Sequence, residues 1–185
     1  MIRPIYLYGS SVLREVAKPA DLSRKEEIGQ LITDLWETLK VSEGCGLAAP
    51  QIGESVRVVV VDGDVMADVY PYLKGFKRVF VNPVVLEKIK ETTTYEEGCL
   101  SVPGIYCDVV RPKTRKVEYY DENLEKKEEL FDNFAARMIE HEFSHLEGEL
   151  FTDLVAPIRR KLVAKKLQGI SSGKVNTRYK SKLTK

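Results

Sequence analysis

The sequence predicts an α+β fold: mostly antiparallel sheets around a central helix carrying His-Glu-x-x-His, with a further helix near the C-terminus. Three observations lead there. Apolar residues recur at helical spacing toward both ends of the chain. β-branched and aromatic runs fill the middle. The two classes are segregated, whereas βαβ units would alternate them. A length of 185 residues, 43% of them hydrophobic and 31% charged, suits one domain with an ordinary core. The expected division is a single domain over 1–169 and a basic, flexible tail over 170–185. The longest purely apolar run is Val58–Val61, far short of a membrane span, and no signal-peptide core is visible. A cytoplasmic location without a membrane partner is therefore expected.

Taken in order, a short helix is expected near 10–16, ahead of Pro19. Ser23 and Glu26 have the spacing of a capping box. Behind them Ile28, Leu31, Ile32, Leu35, Trp36 and Leu39 define an amphipathic helix over about 24–41, ending near Gly44. Strands are expected at 56–62, 78–87, 89–96, 105–111 and 114–121, each rich in β-branched or aromatic residues. Asp121-Glu122-Asn123 marks a turn into a partner strand over 124–131. The stretch 63–77 fits neither period and is read as an excursion. A second helix is expected over 133–147, with Asp132 or Asn133 at its start and Gly148 in a left-handed turn at its end. A third is expected from Pro157 to Gly169.

The chemistry centres on His141 and His145, the only histidines of the chain. Residues four apart on a helix share a face, so both imidazoles can reach one cation, with Glu142 beside them to touch a bound water. A catalytic site of this kind needs a third protein ligand. No histidine follows His145, and the acids behind it, Glu147, Glu149 and Asp153, lie too close in sequence to fold back readily. The third ligand is therefore expected upstream. Cys99 is the best candidate, because a thiolate suits borderline divalent metals and the residue sits between a strand and a turn. Cys45, between Gly44 and Gly46, is the competitor, and Cys107 reads as strand packing.

Charge is unevenly distributed. Residues 157–185 hold ten basic residues and no acid, while the rest of the chain has 19 bases against 28 acids. A basic end on an acidic body points to an anionic partner such as RNA.

Three ordered motifs resemble the peptide deformylases. They are Gly44-Cys45-Gly46-Leu47-Ala48-Ala49-Pro50-Gln51, then Glu97-Gly98-Cys99-Leu100-Ser101, then Glu140-His141-Glu142-Phe143-Ser144-His145. The resemblance implies that Cys99, His141 and His145 hold one divalent metal ion, Fe(II) first, with Zn, Ni or Co as alternatives. It implies that Glu142 is the catalytic acid/base, and that Gln51 and the backbone N–H of Leu100 face the oxyanion. Cys45 and Gly46 would hold the substrate backbone like an added strand. The substrate implied is an N-formylmethionyl nascent polypeptide, which loses its formyl group as formate. Phe134 and Met138, seven and three residues before His141, would line the pocket for the methionine side chain. The ribosome is the expected partner of the basic C-terminal segment, so deleting 170–185 is expected to weaken ribosome binding and to spare small-peptide turnover.

Two positions depart from the family pattern. Glu140 stands where the family has Gln, and Ser144 where it has Asp. Arg111 matches the arginine that pairs with that Asp. Glu140 is a candidate replacement for the lost charge, although it points from a different helix face. The alternative reading is a deformylase-like metal-binding protein with reduced or lost turnover that associates with the ribosome.

Overall fold

The computed structural model describes residues 1–88 and 90–184. Ile89, where one strand was expected to begin, and Lys185 of the basic tail lie outside the described residues. In chain order the elements are β1 (Ile5–Tyr6), α1 (Lys25–Ser42), β2 (Gly46–Ala48), β3 (Val58–Asp62), β4 (Lys77–Lys88), β5 (Thr92–Cys99), β6 (Val102–Pro112), β7 (Thr114–Tyr120), β8 (Lys126–Asp132), α2 (Asn133–Leu146), α3 (Pro157–Ser171) and β9 (Ser181–Lys182). A single 3-10 turn, Ser11–Arg14, stands where the short first helix was expected. Two more, Asp64–Met66 and Pro71–Leu73, shape the 63–77 excursion.

The main sheet is antiparallel in the order β2-β3-β4-β7-β8, with β5 and β6 forming a separate antiparallel hairpin. β3 explains the layering. Val58 to Val61 are all buried, and strand alternation divides them between two faces. Val58 and Val60 join Ile28, Ile32, Leu35 and Leu39 of α1. Val59 and Val61 join Phe80, Ala136, Ile139 and Phe143, the last three from α2. The sheet is thus covered by a helix on each face. A third cluster seats α3 on β6 through Leu167, Ile170, Cys107 and Val109, so Cys107 packs as its strand position implied.

Local signals set some boundaries and miss others. Glu43 and Gly148 adopt left-handed backbone (φ 57° and 70°), ending α1 and the turn after α2. The capping box at Ser23 does not form. Arg24 is the N-cap and makes no side-chain cap bond, while the Ser23 hydroxyl donates to Asp21 at 2.7 Å. Asp21 Oδ1 also accepts from the Ser23 N–H at 3.0 Å, so Ser23 belongs to an Asx turn that precedes the helix. α3 runs two residues past Gly169, and the left-handed turn falls instead at Gly173 (φ 76°). The segment beyond, expected as a flexible tail, folds back: β9 pairs in parallel with β1, Ile5 opposite Ser181 and Tyr6 opposite Lys182.

Candidate active site

α2 lies under the main sheet and alongside β6, which buries most of its length and aims its third turn at the end of β5. The helix presents His141, Glu142 and His145 into one space, with the imidazole centroids 5.3 Å apart. Cys99 enters from the β5–β6 hairpin, whose last ladder pair is Cys99 with Val102. Its Sγ stands 3.4 Å from His145 Nε2. One ligand atom from each of Cys99, His141 and His145 lies within 4.8 Å of the others, the expected trio. Cys45, the competing thiol, is absent from this grouping.

A buried ionic network stands behind His141. Glu97, two residues before Cys99, accepts from Arg111 Nε and Nη2 at 2.8 and 3.0 Å and from Arg137 Nη1 at 2.7 Å. Its other bond, at 2.6 Å, is to His141 Nδ1. Burial pushes the Glu97 carboxyl upward, but His141 and Arg111 outweigh it and hold the pKa well below the usual carboxylate range. An anion there holds a proton on Nδ1 and turns Nε2 toward the other ligands. Glu97 falls within the second of the ordered motifs, which implies no role for it, and nothing in the sequence singles out Arg137. The only sequence signal is two arginines at inward positions of core-forming segments, Arg111 on β6 and Arg137 on α2.

Three features fit a divalent cation. Burial holds His145 well below its ordinary pKa, so it offers a neutral nitrogen. Burial also disfavours charge on His141, yet the Cys99 sulfur and then Glu97 outweigh it, raising that ring to about 10. The space between sulfur and ring therefore favours positive charge. One thiolate with two imidazoles is a donor set for borderline metals.

Glu142 completes the centre. It is 4% exposed, and its Oε2 has no hydrogen-bond partner among the described residues. Burial raises its pKa to about 7, against the pull of His141 and Arg111. A carboxylate at that value accepts and returns a proton near neutrality.

The expected oxyanion and substrate residues gather at the same cleft, of roughly 1030 Å³. Gln51 Oε1 accepts from the Ala48 N–H at 2.9 Å, which turns its amide nitrogen toward Ser101 Oγ (3.1 Å) and Cys99 Sγ (3.6 Å). Leu100 borders the cleft beside it. Gly46 opens β2, the terminal strand of the main sheet, and Cys45 immediately precedes it, so an edge faces the cleft. A Cβ on Gly46 would meet Glu142 Oε1 at 2.6 Å, the close backbone approach its sequence context implied. The Cys45 thiol is pushed up to about 12 by burial and then by Glu142, which leaves it a neutral lining group. Phe134 and Met138 line the apolar end with Val65 and Met66 of the excursion, a contribution not anticipated. Tyr70, also from the excursion, stacks on Phe134 at 4.5 Å between centroids.

Two expectations are corrected. Glu140 does not replace the charge for Arg111. Its carboxylate pairs with Arg115, and Arg111 meets only its backbone carbonyl, at 3.2 Å. Glu97 supplies the charge, and Ser144 Oγ accepts from Arg111 Nη1 at 2.8 Å. Residues 140 and 144 are one turn apart and share a helix face, contrary to the expectation of different faces; the longer Glu140 side chain is drawn instead toward Arg115 of β7. Second, Asn176, Thr177, Arg178 and Tyr179 form one wall of the cleft. Deleting 170–185 would remove that wall, so such a deletion is now expected to lower small-peptide turnover as well.

Comparison with known proteins agrees with this geometry. The family model described as polypeptide deformylase matches residues 2–161. The peptide deformylase of Christiangramia forsetii is 40% identical over 187 residues, covering 97% of this chain and 95% of its own. That of Flavobacterium psychrophilum is 41% identical over 192 residues, covering 99% and 97%. The crystal structure of a peptide deformylase from Legionella pneumophila superposes with a TM-score of 0.81 at 34% identity, covering 94% of this chain and 98% of that one. With the ordered motifs, the fold and the full-length relatives in agreement, the chain belongs to the peptide deformylase family.

Proposed function

We propose that Cys99, His141 and His145 hold a divalent ion and that Glu142, Gln51 and the Leu100 N–H carry out the family's reaction around it. That reaction is hydrolysis of the formyl amide of an N-formylmethionyl polypeptide, releasing formate. Peptide deformylases are metal-dependent, and the grouping of one sulfur and two imidazoles is the match for that requirement. An ion held by these three residues would supply Lewis acidity and would make water acidic enough to attack near neutrality. Glu142 takes the proton from the attacking water and delivers it to the departing amine. The Gln51 amide and the Leu100 N–H donate to the developing oxyanion, one such donor being worth about 2.7–4 kcal/mol. The peptide backbone lies along β2 as an added strand. Its methionine side chain occupies the end lined by Phe134 and Met138. The formyl carbon bears only hydrogen, so a tight centre admits it and excludes bulkier acyl groups.

The observation that carries this reading is the buried Glu142 carboxylate, with one oxygen unpartnered among the described residues, beside a ready-made cation site. The test is formate release from formyl-Met-Ala-Ser by metal-loaded protein. Absence of formate with metal bound would favour the non-catalytic alternative, which Ser144 weakens by keeping a hydrogen bond to Arg111.

Fe(II) is the proposed ion. A thiolate-bound ferrous centre is prone to oxidation, so activity is expected to decay in air and to persist after Ni or Co substitution. Equal activity of aerobic and anaerobic preparations excludes iron.

Gly46→Ala tests the close approach of β2. The new methyl displaces the Glu142 carboxylate, and a shift of about 1 Å costs roughly 10²-fold in kcat/KM. Wild-type kcat/KM in a folded Gly46→Ala protein would mean that Glu142 does not act from this position.

The ribosome is the proposed partner, and a cytoplasmic location goes with a nascent-chain substrate. Lys161, Lys165 and Lys166 are exposed on α3, away from the cleft. Replacing all three with Glu is expected to weaken co-sedimentation with ribosomes and lower the salt slope by about two to three. Formate release should be unaffected. Unaltered co-sedimentation removes α3 from the contact.

A further inference from the structure

We infer that Tyr179 is a positioning residue for the reaction: its hydroxyl holds the Leu100 carbonyl, and with it the turn between Cys99 and Val102, in the geometry catalysis uses. The inference rests on the roles proposed above for Cys99 and Leu100.

Leu100 and Ser101 form the two-residue turn of the β5–β6 hairpin, since Cys99 and Val102 are the last paired residues. Peptide groups in such a turn have no ladder partner and rotate unless something else holds them. Here the turn is held from three sides. Tyr179 donates its hydroxyl to Leu100 O at 2.5 Å. The Tyr8 N–H donates to Ser101 O at 2.7 Å. The Gln51 amide nitrogen reaches Ser101 Oγ at 3.1 Å. The turn so fixed carries a metal ligand at its entrance and a proposed oxyanion donor at its first residue.

Two of those three contacts depend on the C-terminal ribbon. Gly173 reverses the chain after α3, and β9 then runs beside β1. The Ile5 and Leu7 N–H groups donate to Lys180 O and Lys182 O, each at 2.9 Å. Tyr8, the next residue, is thereby set against Ser101. Thr177 Oγ1 bonds Tyr179 O at 2.7 Å and Ser181 Oγ at 2.9 Å, bracing the segment that bears the phenol. The Tyr179 ring packs against the cluster of α1 and β3, so the hydroxyl arrives from a fixed base. Burial pushes the Tyr179 phenol up to about 12, so it keeps its proton and donates throughout the working pH range. The contact spans 79 residues of sequence, and the segment beyond α3 serves catalysis by closing back on the hairpin turn.

Tyr179→Phe removes the hydroxyl and keeps the ring. In the full-length, nickel-loaded protein, kcat for formate release from formyl-Met-Ala-Ser is expected to fall about five- to tenfold, with KM within about twofold. In the metal-free protein, amide hydrogen exchange over 98–102 is expected to quicken, while β3 and the thermal midpoint stay as in wild type. Wild-type kcat in Tyr179→Phe overturns the inference whatever the exchange result. A lowered kcat with unchanged exchange over 98–102 also overturns it, because the hydroxyl would then act elsewhere than through Leu100. Wild-type formate release, measured alongside, reports separately on the reading that the inference rests on.

Discussion

Glu142→Gln is expected to lower formate release by about 10²- to 10⁴-fold, the usual contribution of a positioned acid/base, while the protein still binds one divalent ion. The amide matches the carboxylate in shape but can neither take nor return a proton. KM should change little, since the group acts on the proton and not on the resting substrate. Stability should not fall. Burial raises the Glu142 pKa to about 7 by penalising its charge, and a neutral amide escapes that penalty. Formate release with Glu142→Gln above a tenth of wild type would assign the proton transfer to another group.

The second large effect concerns Glu97, which stands behind His141 and is not one of the three proposed ligands. Its removal leaves Arg111, 3% exposed, and Arg137, 2% exposed, without the carboxylate that neutralises them. Breaking a buried ionic network from one side costs about 3–5 kcal/mol. Glu97→Ala should therefore lower the unfolding free energy of the metal-free protein by that amount in urea. It should also weaken metal binding about 10- to 100-fold, because His141 loses the partner that sets its tautomer. A loss below about 1 kcal/mol would mean that Arg111 and Arg137 are neutralised by other groups. Glu97→Gln, which can still accept from Arg111 and His141, should fall between the two.

These experiments probe parts of the site that were unequally legible in the sequence. His141, Glu142 and His145 were readable because helical period alone puts i and i+4 on one face, whatever the fold around them. Cys99 was readable by chemistry and by the exclusion of downstream ligands, though Cys45 stayed open until the hairpin brought one sulfur to the imidazoles. Glu97 was not readable as a keystone. In the stretch Thr-Thr-Thr-Tyr-Glu-Glu it looks like any polar residue of a half-exposed strand. Its burial follows from β6 and α2 closing over it with two arginines. Arg111 was noticed only through the resemblance, although it continues the inward alternation of Ile105, Cys107 and Val109 along β6. The Ser23 cap failed for a local reason, the turn that Asp21 makes with Ser23 just before the helix.

What the amino-acid sequence determined by itself was the three helices and the six longer strands, their order and the candidate ligand set, because these depend on period, turn residues and donor atoms within short windows; the short β1, β2 and β9 were not foreseen. What only the tertiary structure decided was which distant groups meet: Glu97 with His141, Glu140 with Arg115, and the C-terminal ribbon with β1 and the Leu100 turn. Such pairings are set by how sheets, helices and hairpin close on one another, and no local spacing in the chain encodes that closure.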